Sequence, residues 1–176
     1  MNMKKEENTE ASRIDEASEY MELAKGSIPE GGEPYYRYSR LDVTLIPLRY
    51  HEREFECYVK ASELGNADAT VFVGLAYRQG YPVGRNYCKA FDCFARAVEL
   101  GDEYLAPFLL AECYEQGLGT DIDENAAVLY YTMSAERGNI SSMLALARIY
   151  SEGLYSIEKD KQKAAKYYFM SGIGRD

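Results

Sequence analysis

The chain has 176 residues, a formal net charge of −9, 47% hydrophobic residues and 28% charged residues. This length predicts one domain, and the composition does not fit disordered, collagen-like or membrane-spanning proteins. The 20 basic residues are scattered among 29 acidic ones, so the sequence lacks the segregated basic face that nucleic-acid binding requires. The sequence also lacks an apolar signal segment and a membrane-length apolar run, so we expect a cytoplasmic protein without membrane association.

The cysteines and the histidine indicate neither a metal site nor a catalytic centre. Cys57, Cys88, Cys93 and Cys113 form no C-x-x-C pair, and His51 is the single histidine. This is not a zinc pattern, and no serine or cysteine in a nucleophile motif accompanies His51. We interpret the cysteines as reduced, small apolar residues, and we predict no metal, no cofactor and no enzymatic activity.

Residues 1–32 are predicted to form a polar N-terminal segment with a short helix. Ile14, Ala17, Met21 and Ala24 recur at helical spacing and would form its apolar face. Three glycines and two prolines then follow within residues 26–34 and separate the segment from the rest. The helix either caps the helical array that follows or forms an arm that binds a partner. We favour the cap, because the end of such an array needs covering.

From residue 33 to residue 176 the sequence repeats with a period of 36 to 37 residues. Glycines, tyrosines and alanines recur in register at Gly65, Gly101 and Gly138, at Tyr77, Tyr114 and Tyr150, and at Ala90, Ala127 and Ala164. We predict a degenerate first pair of helices over 33–65, followed by repeats over about 66–101, 102–138 and 139–176.

Each period is predicted to contain two helices. In the first complete repeat, Ala69, Val73 and Ala76 recur at helical spacing, and Gly80 stands where this first helix would end. The second helix begins after Asn86, a good N-cap residue, and Asp123 and Asp160 occupy the same position later. One such pair cannot bury both of its faces, so the pairs are predicted to stack into an all-α superhelix, or α-solenoid.

The residues of the repeat resemble a known family. The pattern Ala-x3-Tyr/Phe-x2-Ala/Ser-x3-Gly-Asn/Asp, followed by Leu-Gly/Ala-x2-Tyr-x2-Gly, is similar to the Sel-one-like repeat, a relative of the tetratricopeptide repeat. The resemblance covers about residues 55–172 and is closest over 90–117 and 127–153. It implies a right-handed superhelix of antiparallel helix pairs and a role as a protein-interaction scaffold.

The resemblance to tetratricopeptide-type repeats implies that the first helix of each pair lines a concave groove. The candidate binding residues face outward there and are Val71, Leu75 and Arg78, then Phe108, Glu112 and Glu115, then Leu144, Arg148 and Glu152. Three of them share one register position and would form an apolar stripe with charges beside it, typical of a groove for a peptide or a helix: Val71, Phe108 and Leu144. Alternatively, these three pack against the neighbouring first helix.

The sequence therefore favours a non-enzymatic scaffold or adaptor that binds a protein or peptide partner in this groove. One alternative is a hydrolase-like enzyme that uses groove carboxylates such as Glu112 and Glu115, and another is a self-assembling structural protein. We also consider a homodimer through the C-terminal end, because residues 166–170 are aromatic and no polar capping helix follows them. A tyrosine cluster at 35–38 either packs on the first pair or forms a further binding patch.

Overall fold

The computed structural model describes residues 3–26, 52–155 and 157–173. In these ranges the chain forms eight α-helices and no β-strand, so the predicted all-α helical-repeat class is confirmed. The helices are α1 (Met3–Gly26), α2 (Glu52–Glu63), α3 (Ala67–Gln79), α4 (Tyr87–Glu99), α5 (Leu105–Gln116), α6 (Glu124–Glu136), α7 (Ile140–Glu152) and α8 (Lys161–Ser171). The predicted first helix of the degenerate pair and the tyrosine cluster at 35–38 lie outside the described residues.

The helices belong to two compact units. The first unit contains α1 to α4, and the second contains α5 to α8. Within the first unit α1 packs on α2, α2 on α3 and α3 on α4. Within the second unit α5 packs on α6, α6 on α7 and α7 on α8. Each unit is therefore built from consecutive helices that cover one another.

Helix α1 packs on α2 through three of the four residues predicted for its apolar face. Ala17, Met21 and Ala24 are buried, whereas Ile14 is 60% exposed. The prediction of burial is wrong for Ile14, which continues this stripe one turn before Ala17 but keeps most of its side chain exposed. Helix α1 therefore covers one face of α2.

The loop inside each repeat is closed by the same hydrogen bonds. The predicted N-cap residues of α4, α6 and α8 each accept a hydrogen bond from a backbone N–H of the first helical turn. Their own backbone N–H groups donate to a tyrosine carbonyl of the preceding helix, from Asn86 to Tyr77 at 2.8 Å, from Asp123 to Tyr114 at 3.1 Å and from Asp160 to Tyr150 at 2.9 Å. The start of each second helix is thus tied to the end of the first.

The predicted close approach of the two helices in a repeat occurs at Gly74. A Cβ atom built on Gly74 would lie 2.6 Å from Cε1 of Phe94 and 3.0 Å from Cβ of Cys93. Both contacts come from α4, so α3 and α4 approach each other at a distance that only glycine permits. Ala111 and Ala147, which occupy the same register position in the later repeats, are completely buried.

Candidate functional site

Of the three candidate binding residues on α3, two lie inside the protein. Val71 and Leu75 are buried, and Arg78 is half-buried. All residues of α3 from Ala69 to Ala76 are buried, because α3 packs against both α2 and α4. The outward position predicted for Val71 and Leu75 is therefore wrong.

The predicted apolar stripe is not an exposed surface in the second unit either. Phe108 is buried, and its ring centroid lies 6.0 Å from that of Tyr131 on α6, so it packs within its own helix pair. Its predicted outward position is wrong. Leu144 is half-buried on α7 and keeps part of its side chain at the surface.

The predicted charged residues meet in one cluster of the second unit, which we call the Glu115 cluster: Glu115, Tyr131, Arg148 and Tyr155. The Tyr131 hydroxyl donates a hydrogen bond to Oε2 of Glu115 at 2.6 Å. Nη2 of Arg148 donates to Oε1 at 2.6 Å, and the Tyr155 hydroxyl donates to the same oxygen. One carboxylate on α5 therefore binds groups from α6, from α7 and from the loop after α7.

Burial and charge keep the donors of this cluster protonated. Burial, followed by the hydrogen bond to Glu115, raises the pKa of Tyr131 well above its ordinary value. The same two causes raise the pKa of Tyr155 to about 12. For Arg148, burial by itself lowers the pKa, but the neighbouring Glu115 carboxylate outweighs this effect and raises it. The cluster is therefore a set of fixed hydrogen bonds and not a proton-transfer site at neutral pH.

These contacts weigh against the hydrolase alternative. A pair of acid–base carboxylates at Glu112 and Glu115 requires that both can exchange protons with a substrate. Glu115 already accepts three hydrogen bonds, and its side chain is mostly buried. Among the side chains of residues 3–26, 52–155 and 157–173 that the structure describes, no group of three or more His, Cys, Asp and Glu residues could hold a metal ion.

Sequence reasoning missed the two tyrosines of the cluster as site residues. Tyr131 occupies the register position of Phe94, so the repeat predicts a core residue, and only the added hydroxyl indicates a polar partner. Tyr155 lies in the loop after α7 with a positive φ of 60°, and no motif predicts its contact with Glu115. Both hydroxyls fix the carboxylate that holds Arg148.

Three candidates follow one side of α7 at steps of four residues, and we call them the α7 face: Leu144, Arg148 and Glu152. Leu144 is half-buried, Glu152 is exposed, and the Arg148 side chain is 50% exposed although Glu115 binds it. Glu112 is half-buried on α5. An apolar residue, a fixed cation and an anion thus stand one turn apart on the surface of one helix.

None of the described helices is both long and apolar enough to cross a membrane.

Consecutive, similarly closed helix pairs define the class of α-helical repeat proteins. Within this class, the family model of the Sel1 repeat matches residues 67–102, 106–139 and 140–171, together more than half of the chain. The chain belongs to the Sel1 repeat family, as its sequence pattern predicts. Proteins of this family generally serve as interaction scaffolds or adaptors.

Two solved structures share the fold. A Sel1 repeat protein from Oxalobacter formigenes is 30% identical, with a TM-score of 0.66 over 73% of this chain and 51% of that chain. A protective antigen of uropathogenic Escherichia coli strains that displays an SLR fold is 31% identical, with a TM-score of 0.63 over 68% of this chain and 25% of that chain.

Two curated relatives are much longer than this chain. The ERAD-associated E3 ubiquitin-protein ligase component HRD3A of Arabidopsis thaliana is 29% identical over 109 residues, which cover 60% of this chain and 16% of the relative. Chitin synthase regulatory factor 2 of Schizosaccharomyces pombe is 25% identical over 116 residues, which cover 65% and 22%. This chain therefore spans less than a quarter of the length of either relative.

Proposed function

We propose that this chain is a non-enzymatic scaffold or adaptor that binds a polypeptide partner, and that the α7 face is the centre of its binding surface. Membership of the Sel1 repeat family supports the general role. The observation that supports this choice of site is the position of Arg148. Its side chain is half-exposed, yet the Glu115 carboxylate holds it in place, and two tyrosine hydroxyls donate to the same carboxylate.

A fixed arginine favours binding for a physical reason. A free arginine side chain loses much of its rotamer freedom when a partner immobilises it, whereas Arg148 has already lost part of that freedom through Glu115. In the part of the chain that the structure describes, Glu115 is the one hydrogen-bond acceptor of the guanidinium. Its remaining N–H groups are available for carbonyl or carboxylate oxygens of a partner.

The neighbours of Arg148 suit the same role. Leu144 offers a partly exposed apolar side chain one turn before it, and Glu152 offers a charge one turn after it. Interfaces typically combine a few large anchors with a polar rim that affects mainly the rate of association. We retain Glu112 as a rim residue of the proposed surface, and we assign Glu115 the role of positioning Arg148. Arg78, on α3 of the first unit, remains a separate candidate for partner binding.

Two finer points belong to the same proposal. A cytoplasmic location suits the four cysteines, all of which are free thiols that a reducing compartment would preserve. A homodimer through the C-terminal end is supported by the exposed aromatic residues of α8.

The test begins with affinity capture of the partner and continues with a measured Kd for paired variants. Arg148→Ala should weaken binding about tenfold or more. Arg137→Ala is its matched control, because Arg137 also forms an exposed ion pair with a glutamate, Glu103, and it lies outside the α7 face. Leu144→Ala should likewise weaken binding, whereas Leu129→Ala on α6 should not.

Two results would contradict the proposal. If Arg148→Ala and Leu144→Ala both bind like the parent protein with an unchanged melting temperature, the binding surface is elsewhere. If capture from the native source retains no protein partner, the scaffold function itself is wrong.

A further inference from the structure

One side of α8 is exposed, and we call its residues the α8 row: Lys161, Ala165, Tyr168, Phe169 and Gly172. Lys161, Ala165 and Tyr168 follow one another at helical steps, and Gly172, which caps the helix, continues the same line. Phe169 lies beside Tyr168 and is 70% exposed. Among the described residues, nothing beyond its chain neighbours lies within 4 Å of a Cβ built on Gly172. The row is therefore an open surface with two aromatic side chains between two small residues.

The repeat register shows which side of α8 faces its own helix pair. Position by position, α8 repeats α6 with a shift of 37 residues. Each of these two helices packs on the first helix of its pair, α6 on α5 and α8 on α7. Two register positions are buried in both helices, one at Ala127 and Ala164 and the other at Ser134 and Ser171. These positions therefore face the first helix of the pair.

Two other register positions are covered on α6 and open on α8. Tyr131 is 2% exposed, whereas its equivalent Tyr168 is 47% exposed. Ala135 is buried, whereas its equivalent Gly172 is exposed. The two helices differ because α7 also packs on α6, and it runs antiparallel to α6 after a short turn. The α8 row is therefore the side of α8 on which an antiparallel helix fits.

A second α8 is such a helix, because the row is complementary to itself. A two-fold axis between Tyr168 and Phe169 places Tyr168 of one copy beside Phe169 of the other. The same axis places Ala165 opposite Gly172, because these residues stand three positions before Tyr168 and three positions after Phe169. Aromatic side chains thus meet aromatic side chains, and the small residues beside them let the two backbones approach.

The lysines of α8 are compatible with this contact. Lys161 begins α8, so an antiparallel arrangement places it near the C-terminal end of the second α8, where the last carbonyl groups attract a cation. The other two lysines are directed to groups outside the row. Nζ of Lys163 is 3.9 Å from Oδ2 of Asp160, and Nζ of Lys166 is 5.8 Å from the ring centroid of Tyr167.

We propose that two copies of this chain pair through their α8 rows in an antiparallel contact with two-fold symmetry. This specifies the homodimer through the C-terminal end, which is part of the proposed function and on which the inference rests. The contact uses the same surface on both copies, so it closes at a dimer. Each dimer then presents two α7 faces, so it holds a partner with two binding segments more tightly than a partner with one.

The first test is sedimentation velocity of the full chain over a range of concentrations. The parent should show a monomer–dimer equilibrium without larger species. Phe169→Ser should raise the dissociation constant of the dimer about tenfold or more, because it removes the most exposed aromatic side chain of the row. The matched control is Met170→Ser, which changes an apolar residue of α8 that is 40% exposed outside the row and should leave the equilibrium unchanged.

Photo-cross-linking tests the arrangement of the two copies. With p-benzoylphenylalanine in place of Phe169, irradiation should join position 169 to α8 of the second copy, and mass spectrometry of the cross-linked peptides identifies the site. A dimer in which position 169 is joined to any other element would overturn the contact. Species larger than a dimer, or equal effects of Phe169→Ser and Met170→Ser, would also overturn it.

A strictly monomeric parent at high concentration would overturn both this contact and the homodimer on which it rests. If position 169 of such a monomer is cross-linked to another protein in an extract of the native source, the row binds a partner helix instead. Neither result concerns the α7 face, because Arg148→Ala should weaken partner binding and leave the dimer equilibrium unchanged. The failure of this inference and the failure of the scaffold proposal are therefore distinguishable.

Discussion

Nη2 of Arg148 lies 2.6 Å from Oε1 of Glu115, so a carboxylate on the first helix of one repeat holds an arginine on the first helix of the next. The other oxygen of the same carboxylate binds Tyr131, which belongs to the second helix of the Glu115 repeat. A single glutamate therefore links two helices of one repeat to the following repeat. The exposed position of Arg148 depends on this link.

Glu115→Ala should lower the free energy of unfolding by about 1–3 kcal/mol. The main cost is the buried Tyr131 hydroxyl, which would lose its hydrogen-bond acceptor. The matched control is Glu103→Ala, which removes an exposed ion pair with Arg137 and should cost less than about 1 kcal/mol. Urea denaturation of the three proteins measures both effects, and equal costs would show that the Glu115 cluster does not stabilise the fold.

Stability should fall as the pH rises from about 10 towards 12. The pKa of Tyr155 in the folded protein is about 12, above its ordinary value of 10.0, because of burial and of the Glu115 carboxylate. In this range the unfolded chain releases the tyrosine proton while the folded protein retains it, which favours unfolding. Tyr155→Phe should show a smaller loss of stability over the same range.

The measurement is the urea midpoint of the parent and of Tyr155→Phe at a series of pH values and constant ionic strength. The other ionisable groups are common to both proteins, so the difference between the two curves reports on Tyr155. Parallel curves up to pH 12 would show that the hydroxyl is not in the buried contact with Glu115.

Gly74→Ala should destabilise the protein by about 1–3 kcal/mol, although alanine is the better helix former by about 1 kcal/mol. The added Cβ would lie 2.6 Å from the buried ring of Phe94, so α3 and α4 would have to move apart. The control is Gly84→Ala, where no atom lies within 4 Å of the new Cβ. Thermal unfolding compares the two, and a higher melting temperature for Gly74→Ala would contradict the observed helix crossing.

The four thiols should react with a disulfide reagent in an order that burial determines. Cys88 is exposed and should react first. Burial, with a smaller contribution from Asp92, raises the pKa of Cys93 to about 11, so little of it is thiolate at neutral pH, and Cys113 is buried. Cys88→Ser should remove the fast phase of the reaction, and a fast phase that persists would show that another thiol is open to solvent.

The elements of the fold were largely predictable from the sequence, because each depends on local chemistry. Each N-cap needs only one suitable side chain, as at Asn86, Asp123 and Asp160. The C-cap needs only a residue that adopts the left-handed backbone conformation, as Gly80 does. A repeat multiplies such local signals, since each copy independently shows the same pattern.

The outward positions of Val71, Leu75 and Phe108 were wrong for a reason that the sequence itself contains. An amphipathic interpretation assumes one buried and one exposed side, but nearly every residue of α3 from Val71 to Ala76 is apolar. A helix that is apolar all round is buried all round. The first helices are therefore core elements over most of their length, and their exposed positions are fewer than the groove interpretation assumes.

The Glu115 cluster could not be predicted because its members are distant in sequence. Tyr131, Arg148 and Tyr155 are 16, 33 and 40 residues from Glu115, and they come together only when the helices pack. The sequence indicated Glu115 and Arg148 only as charges beside the apolar stripe on successive first helices. It did not indicate that the two form a pair and that hydroxyl groups fix one of them.

Because a backbone hydrogen bond closes each repeat, the loop inside a repeat can change in length while the helices keep their packing. The closing bond spans nine residues in the first two repeats, from Tyr77 to Asn86 and from Tyr114 to Asp123, and ten residues from Tyr150 to Asp160. The extra residue leaves the bond in place because only backbone atoms at the two ends form it. The loop before α8 can therefore accept an insertion, such as a peptide tag or an additional recognition segment, provided that Tyr155 keeps its contact with Glu115.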